Sequence, residues 1–346
     1  APGAALAAIA RARLSTVYRP DRKITMLPPD AIARLSLDEA RERPAVSLYV
    51  TVGTQDFSVR GRTSRLERVP IAANLRHAAY DRLNAAFEAG ERTGFAFEEE
   101  LRALWRFAEA LEARRGKPGA GAANLDYVFR VEDGRVAIEQ RRRGVPLDKA
   151  VAELMILANA SWGELLAERD VAAIYRVQSS GKVRLSVHPE MHDGLGVAAY
   201  AWFTSPLRRY VDLVNQWQLA AALKGARAPF ARTSEALLAA LRAYEVTTAR
   251  YEEHQRALET YWCLRWLEQE RVNEADGMVL RENLVRFERL PLSVRVASLP
   301  ELAPGTRVRL AIEHIDLIER SLGCGFRAAL EPAVTQSTAA GGQGTA

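Results

Sequence analysis

Cysteine is scarce in this chain of 346 residues: Cys263 and Cys324 stand alone, without a CxxC partner. That pattern offers neither a disulfide framework nor a zinc knuckle, so no disulfide-linked partner is expected and a reducing cytoplasm is the expected compartment. There is no apolar run of the ~18 residues that a membrane span requires, and no signal-peptide pattern, so no membrane partner is expected. The five histidines are scattered. His188 and His192 have the spacing of a helical metal pair, but Pro189 between them and Gly194 beyond favour a solvated turn. None of the first seventeen residues is acidic, and the thirteen aspartates come no closer than Asp126 and Asp133. No metal ligand is therefore assigned to this chain. Lysine is confined to Lys23, Lys117, Lys149, Lys182 and Lys224, although Lys+Arg (48) exceed Asp+Glu (43) for a net charge of +5. The cationic excess is arginine, whose planar fork can take two phosphate oxygens at once. High-GC codon usage produces the same bias, so composition leaves both explanations open.

What is present is ordinary for a globular protein of two or three domains: 48% hydrophobic and 26% charged residues. Residues 4–14 read as a short helix, followed by a proline-punctuated extended loop. "PAVSLYVTVGTQ" and "SVRGRTSRLERVPI" are β-branched, partly alternating runs consistent with paired strands. Two helices end at Gly90 and Gly116. "KPGAGAANL" is a loop, and "DYVFRVEDGRVAIEQRRR" a hairpin turning at Glu132-Asp133-Gly134. A strong helix over "PLDKAVAELMILANASWGELLAER" precedes the strand "AAIYRVQ". From Ser234 to about Asn273 neither glycine nor proline occurs, which implies one long helix or two abutting ones. Beyond Gly277 short alternating runs, broken by Leu-Pro and Pro-Gly, suggest five strands of a small OB-type barrel. The expected organisation is a mixed α/β domain over 1–272, sheet with packed helices, then a barrel over 273–332 and a disordered tail over 333–346.

One segment, "YAWFTSPLRRYVD" at 200–212, concentrates the chemistry. Thr204 and Ser205 are N-cap residues and Pro206 suits a first helical position, so a helix is expected over 206–223. Leu207, Tyr210, Val211, Val214 and Trp217 then form its apolar stripe. Arg208 and Arg209 would lie beside the positive end of the helix dipole, the wrong sign by roughly 0.3–1 kcal/mol each. A phosphate arriving at the free N–H groups would cancel that conflict. The alternative is an outward reach to acidic neighbours such as Asp212.

This segment closely resembles the Tyr…Thr-Ser-Pro-Ile-Arg-Arg/Lys-Tyr-x-Asp signature of the ribonuclease II/R family, whose catalytic domain is the RNB domain. "TVYRPDRKITMLPPDAIARLSLDE" and "VAELMILAN" resemble two further family segments, in the same order along the chain. The resemblance implies an RNB-type fold ending in an RNA-binding OB barrel. It also implies processive 3′→5′ exoribonuclease activity on single-stranded RNA, releasing nucleoside 5′-monophosphates by magnesium-assisted hydrolysis. Arg208 matches the family's catalytic arginine, which would neutralise charge on the scissile phosphate. Arg209 matches its basic neighbour, and Tyr210, the tyrosine of the motif, is grouped with it as RNA-binding. Tyr18 matches an aromatic that stacks on terminal bases, against the alternative of a half-packed loop tyrosine. Tyr80 and Glu153 match residues that sense a 2′-hydroxyl, against helix core and a solvated face respectively. Phe129 is either a second stacking aromatic or a core strand residue. On the long helix Gln255 stands where many relatives carry glutamate, so the charge there is absent.

The family's magnesium-binding cluster, Asp-x5-Asp-x-Asp-Asp upstream of the stacking tyrosine, has no counterpart in this sequence. The chain therefore reads as the later part of such an enzyme, binding RNA as a monomer without hydrolysing it. Magnesium is expected only for the complete enzyme. The alternatives are a non-catalytic RNA-binding protein derived from this family, or an unrelated helical protein with an accessory barrel.

Overall fold

The computed structural model describes residues 2–75, 80–116, 125–179 and 181–331. The loop expected at 117–125 lies almost wholly outside them, and so does the tail expected at 333–346. In chain order the elements are α1 (Ala5–Arg13), β1 (Val17–Tyr18), β2 (Lys23–Ile24), α2 (Pro29–Leu35), β3 (Glu42–Val52) and β4 (Val59–Pro70). There follow α3 (Tyr80–Ala89), α4 (Glu98–Arg115), β5 (Leu125–Glu132), β6 (Arg135–Arg142), α5 (Pro146–Glu168), β7 (Tyr175–Ser179) and β8 (Lys182–Ser186). The chain continues through α6 (Tyr210–Leu223), α7 (Glu235–Gln269), β9 (Glu274–Arg281), β10 (Leu284–Phe287), β11 (Ser293–Arg295), β12 (Arg307–Asp316) and β13 (Ser321–Ala329).

Two compact units form: Ala1–Asp126 with Arg141–His254, and Tyr127–Gln140 with Gln255–Ala346. The division falls inside α7 rather than after it, and the β5–β6 hairpin goes with the second unit. Packing explains this. Phe129 and Ile138 of the hairpin sit against the apolar cluster of Leu264, Phe287 and Val308. Gln269 meanwhile accepts the Val136 N–H and donates to the Val136 carbonyl, both at 2.9 Å. The hairpin turns at Asp133 and Gly134, both at positive φ (49° and 75°), as a two-residue turn between twisted strands requires.

In the first unit, α6 stands between two apolar clusters. Val211 and Val214 pack with Leu14, Met26, Leu27 and Leu237. Leu219 and Ala222 pack with Trp162, Tyr175 and Phe203, and Val46 and Leu48 of β3 close over this second cluster. β3 and β4 form a long antiparallel ribbon in which Val46 faces Leu66 and Leu48 faces Ser64. The β7–β8 hairpin contains one strand, β8, that the sequence did not signal. α5 is long and apolar enough to cross a membrane by length and composition. Half of it is buried in the protein, where it presents Glu153 and Asn159 to partners rather than to lipid. His192 is buried, not solvated as its proline and glycine neighbours suggested: it is 3% exposed, edge-on to the Tyr200 ring at 5.5 Å.

The second unit is built on one antiparallel sheet of strand order β11-β10-β9-β12-β13. It curls enough to bring its two end strands near each other, consistent with an OB-type barrel. At Gly277 the backbone of the next strand approaches closely: a Cβ there would lie 2.6 Å from Val285 Cγ1 and 2.9 Å from the Arg286 carbonyl oxygen. Gly277→Ala is therefore expected to cost about 1–3 kcal/mol, read as a lower denaturant midpoint; an unchanged midpoint would contradict the β9–β10 pairing. A second expectation concerns pH. Burial, reinforced by the Arg176 charge, holds the His192 imidazole below the usual histidine pKa. The unfolded chain then binds more protons between the two values. The stability involved is present above the ordinary histidine pKa and is lost as pH falls below it. Thermal melts between pH 7 and 5 should show this loss, and His192→Phe should flatten the profile.

Candidate nucleic-acid interface

Buried amide side chains fix the segment that precedes α6. Asn159 of α5 accepts the Phe203 N–H (2.9 Å), and Asn215 of α6 donates to the carbonyls of Trp202 (3.0 Å) and Ile174 (2.9 Å). Gln216 donates to the Phe203 carbonyl at 2.8 Å. Asp212, wholly buried, accepts the Ser205 N–H at 2.9 Å and pairs with the Arg209 guanidinium at 2.8 Å. Burial pushes the Asp212 carboxyl above the usual carboxylate range, while Arg209 and the Ser205 N–H pull the other way. The sequence signal for this arrangement is the set of polar residues Asp212, Asn215, Gln216 and Gln218 on a largely apolar helix.

The helix starts later than expected. Pro206–Arg208 form a turn, Arg209 is the N-cap in extended conformation (φ −137°, ψ 125°), and α6 begins at Tyr210. The reason is a strand-like pairing with the residues after α1. Thr16 N–H donates to the Arg208 carbonyl (3.0 Å) and Tyr210 N–H to the Leu14 carbonyl (2.8 Å), which demands extended backbone at 209. Leu14 itself sits at φ +61°, a costly conformation for a bulky residue. Its anchored side chain, 5% exposed, and its hydrogen bonds at both ends hold it there. The arginines are therefore not in the first turn, and the dipole conflict does not arise. Asp212 occupies that turn with the favourable sign.

This pairing brings Tyr18 and Arg208 to one groove of about 1190 Å³, lined also by Lys23, Arg68, Trp217 and Lys224. Arg208 is exposed, and among the described residues no ion pair engages its side chain. Tyr18 is 40% exposed, with Lys23 Nζ 5.7 Å from its ring centre. Lys23 and Arg68 lie far from the motif in sequence, and only the tertiary structure brings them into one groove with Trp217 and Lys224.

The remaining expected residues are elsewhere. Arg209 is committed to Asp212 and lies over the Trp202 ring at 4.1 Å, so it serves the turn rather than an open surface. Tyr210 is core: 4% exposed, packed with Val211 and Leu237 and edge-on to Trp217. Phe129 packs with the apolar cluster of the second unit, which makes it the core strand residue of the two alternatives. Gln255 donates to Glu259 at 3.1 Å, one turn along the helix. Tyr80 donates to Asp148, which also takes Arg141 at 2.7 Å. Burial and that bond push the Tyr80 hydroxyl pKa up to about 12. Glu153, 4% exposed, is clamped by Arg115, which also donates to the Leu195 carbonyl at 2.6 Å. Glu153 and Arg115 line a separate cavity of about 400 Å³. Asp148 and Glu153 are five residues apart on α5, hence about 140° around it, and their partners Tyr80 and Arg115 are correspondingly separate. Tyr80 is not among the described residues that line the cavity at Glu153.

The described residues do not fit a divalent metal. No three acid, histidine or cysteine side chains converge among them. The groove's one described carboxylate, Glu67, already accepts from Tyr49 at 2.9 Å and from Ser47. A hard cation requires several oxygen ligands together.

Asp212→Asn leaves the Arg209 guanidinium buried without its counter-charge, and about 3–5 kcal/mol of stability should be lost, measured by chemical denaturation. A variant as stable as the parent would remove Asp212 from its central place.

Comparisons with known proteins agree with this architecture. The chain is 25% identical over 346 aligned residues to an uncharacterized ribonuclease of Synechocystis, covering 89% of this chain and 50% of that protein. The chain spans about half the length of the curated relatives it matches, or less. Its fold is similar to that of Mycoplasma genitalium RNase R, solved in complex with ribose-methylated single-stranded RNA. The TM-score is 0.76 at 16% identity, covering 94% of this chain and 64% of that one. It is also similar to yeast Ssd1, described as a pseudonuclease, with a TM-score of 0.68 at 16% identity, covering 93% and 46%. The RNB domain family model matches residues 1–185 and 179–225. The chain belongs to the RNB domain family.

Proposed function

We propose that this chain holds the 3′ region of a single-stranded RNA in the groove shared by Tyr18 and Arg208, as the strand-binding part of a 3′→5′ exoribonuclease. The observation that carries this reading is the meeting, in one cleft, of an exposed aromatic with an unpaired guanidinium, 190 residues apart in sequence. A base can stack on Tyr18 regardless of its identity. Arg208 can then take the adjoining phosphate with its fork, and Lys23, Arg68 and Lys224 add sequence-independent attraction. The ribonuclease names of the relatives, and the RNA in the complex of the Mycoplasma enzyme, support the substrate class.

Hydrolysis is not assigned to any described side chain. Release of nucleoside 5′-monophosphates by the complete enzyme is proposed from family membership, with magnesium as its metal and its ligands outside the residues described. A monomer in the cytoplasm is the proposed working state. A second reading, a non-catalytic RNA-binding protein, is favoured by the lack of any convergent acid cluster among the described residues and by the likeness to a pseudonuclease.

Fluorescence anisotropy with 5′-labelled single-stranded RNA tests the proposal. The chain should bind with an affinity that falls steeply with salt, and leave the RNA intact in magnesium. Tyr18→Ala should weaken binding by about 5- to 150-fold, the worth of one stacked base. Arg208→Ala should lower affinity by no more than about tenfold, the loss of one charge-assisted contact, while slowing cleavage far more strongly in a complete, active enzyme. Absence of salt-dependent RNA binding would remove the proposal, and equal loss of binding and cleavage on Arg208→Ala would reduce that residue to an anchor.

A further inference from the structure

Two guanidinium groups share one indole. Arg209 Cζ lies 4.1 Å, and Arg176 Cζ 4.8 Å, from the Trp202 ring centre. The charge of Arg209 is matched by Asp212. Arg176, on β7, is half-buried, and among the described residues its side chain has neither an ion pair nor a hydrogen bond. Tyr200, Tyr244, Arg209 and His192 face it. The acid that acts on it, Glu252, is exposed and makes no ion pair with it.

A guanidinium cannot shed its proton and carries five donors in a fixed plane. Half-burying one beside a second cation incurs both desolvation and repulsion, and stacking on an indole offsets only part of this. Such a group is kept charged, oriented and open-handed. The species that relieves both penalties is an oxyanion presenting two acceptor oxygens to the fork. Trp202 and Arg208 are six residues apart on one continuous segment, so even fully extended they are at most ~20 Å apart. A few nucleotides of a single strand span a distance of that order.

We infer that Arg176, seated on Trp202 beside Arg209, is a second phosphate-contacting residue, taking a phosphodiester of the same strand that occupies the Arg208 groove. This rests on the RNA-binding reading above. It assigns a ligand-binding role to a residue outside the signature segment and outside that groove.

The test compares the 346-residue chain with Arg176→Met and Arg176→Lys, using a 5′-labelled single-stranded oligoribonucleotide over a range of potassium chloride concentrations. Arg176→Met should lower affinity about tenfold, as loss of a charge-assisted contact does, and make the log–log salt slope shallower by about 0.7. Arg176→Lys should keep the slope and recover part of the affinity, since the charge remains but the fork is lost. If the parent binds RNA and Arg176→Met matches it in affinity and slope, this inference fails while the Arg208 groove stands. If the parent itself shows no salt-dependent binding, the underlying reading fails instead. A measurement on the unsubstituted protein avoids any folding defect. Phenylglyoxal modification of Arg176, followed by mass spectrometry, should fall several-fold when RNA is added. Modification indifferent to RNA, or a guanidinium that does not react at all, overturns the inference.

Discussion

The backbone pairing of Leu14–Thr16 with Arg208–Tyr210 is the constraint on which the rest of the site depends. Two hydrogen bonds, at 3.0 and 2.8 Å, join segments nearly two hundred residues apart and fix both the start of α6 and the relative placement of Tyr18 and Arg208. Neither segment could hold this geometry alone. Leu14 adopts a left-handed backbone that its side chain disfavours, and the 205–209 turn depends on a buried carboxylate. The apolar cluster around Leu14, Val211 and Leu237 supplies the burial that offsets these local costs.

Asp212 shows how a buried charge can specify conformation rather than add stability. Its oxygens meet the Ser205 N–H and the Arg209 guanidinium at once. The turn therefore closes in one way, with Arg209 drawn inward and Arg208 left outside. Two adjacent arginines of identical chemistry thus acquire different roles, one structural and one available to a ligand. Desolvation disfavours such a pair in isolation, which is why its role is better read as geometric.

The groove suits binding better than bond cleavage. It combines an aromatic face with several cations, but its one described carboxylate is already engaged by hydroxyl donors. Such a lining, with cations in excess of free carboxylates, is complementary to a polyanion. The pairing of Arg176 with Trp202 continues the same theme, an aromatic surface and an unpaired guanidinium.

Much of this was legible from sequence. Alternating β-branched runs marked β3, β4 and the strands after Gly277, Asp133-Gly134 marked its hairpin, and the 200–212 motif led to the groove. Local patterns determined these because they act over a few residues: side-chain period, turn chemistry and helix ends. The start of α6 departs from its local signal, because Thr-Ser-Pro is a good helix start that pairing with the distant Leu14–Thr16 segment overrides. Tyr210 and Arg209 were legible as motif members but not as core and clamp, and the two alternatives for Phe129 could not be separated, because burial depends on partners far along the chain. Nothing local marks Lys23 and Lys224 as groove residues or Arg176 as a neighbour of Trp202, and Trp217 is legible only as a member of its helix's apolar stripe. The sequence by itself determined most of the element types, the basic character and the family. Only the tertiary structure decided which arginine remained free, because pairing and burial are properties of spatial neighbours, and here those neighbours come from segments far apart in the chain.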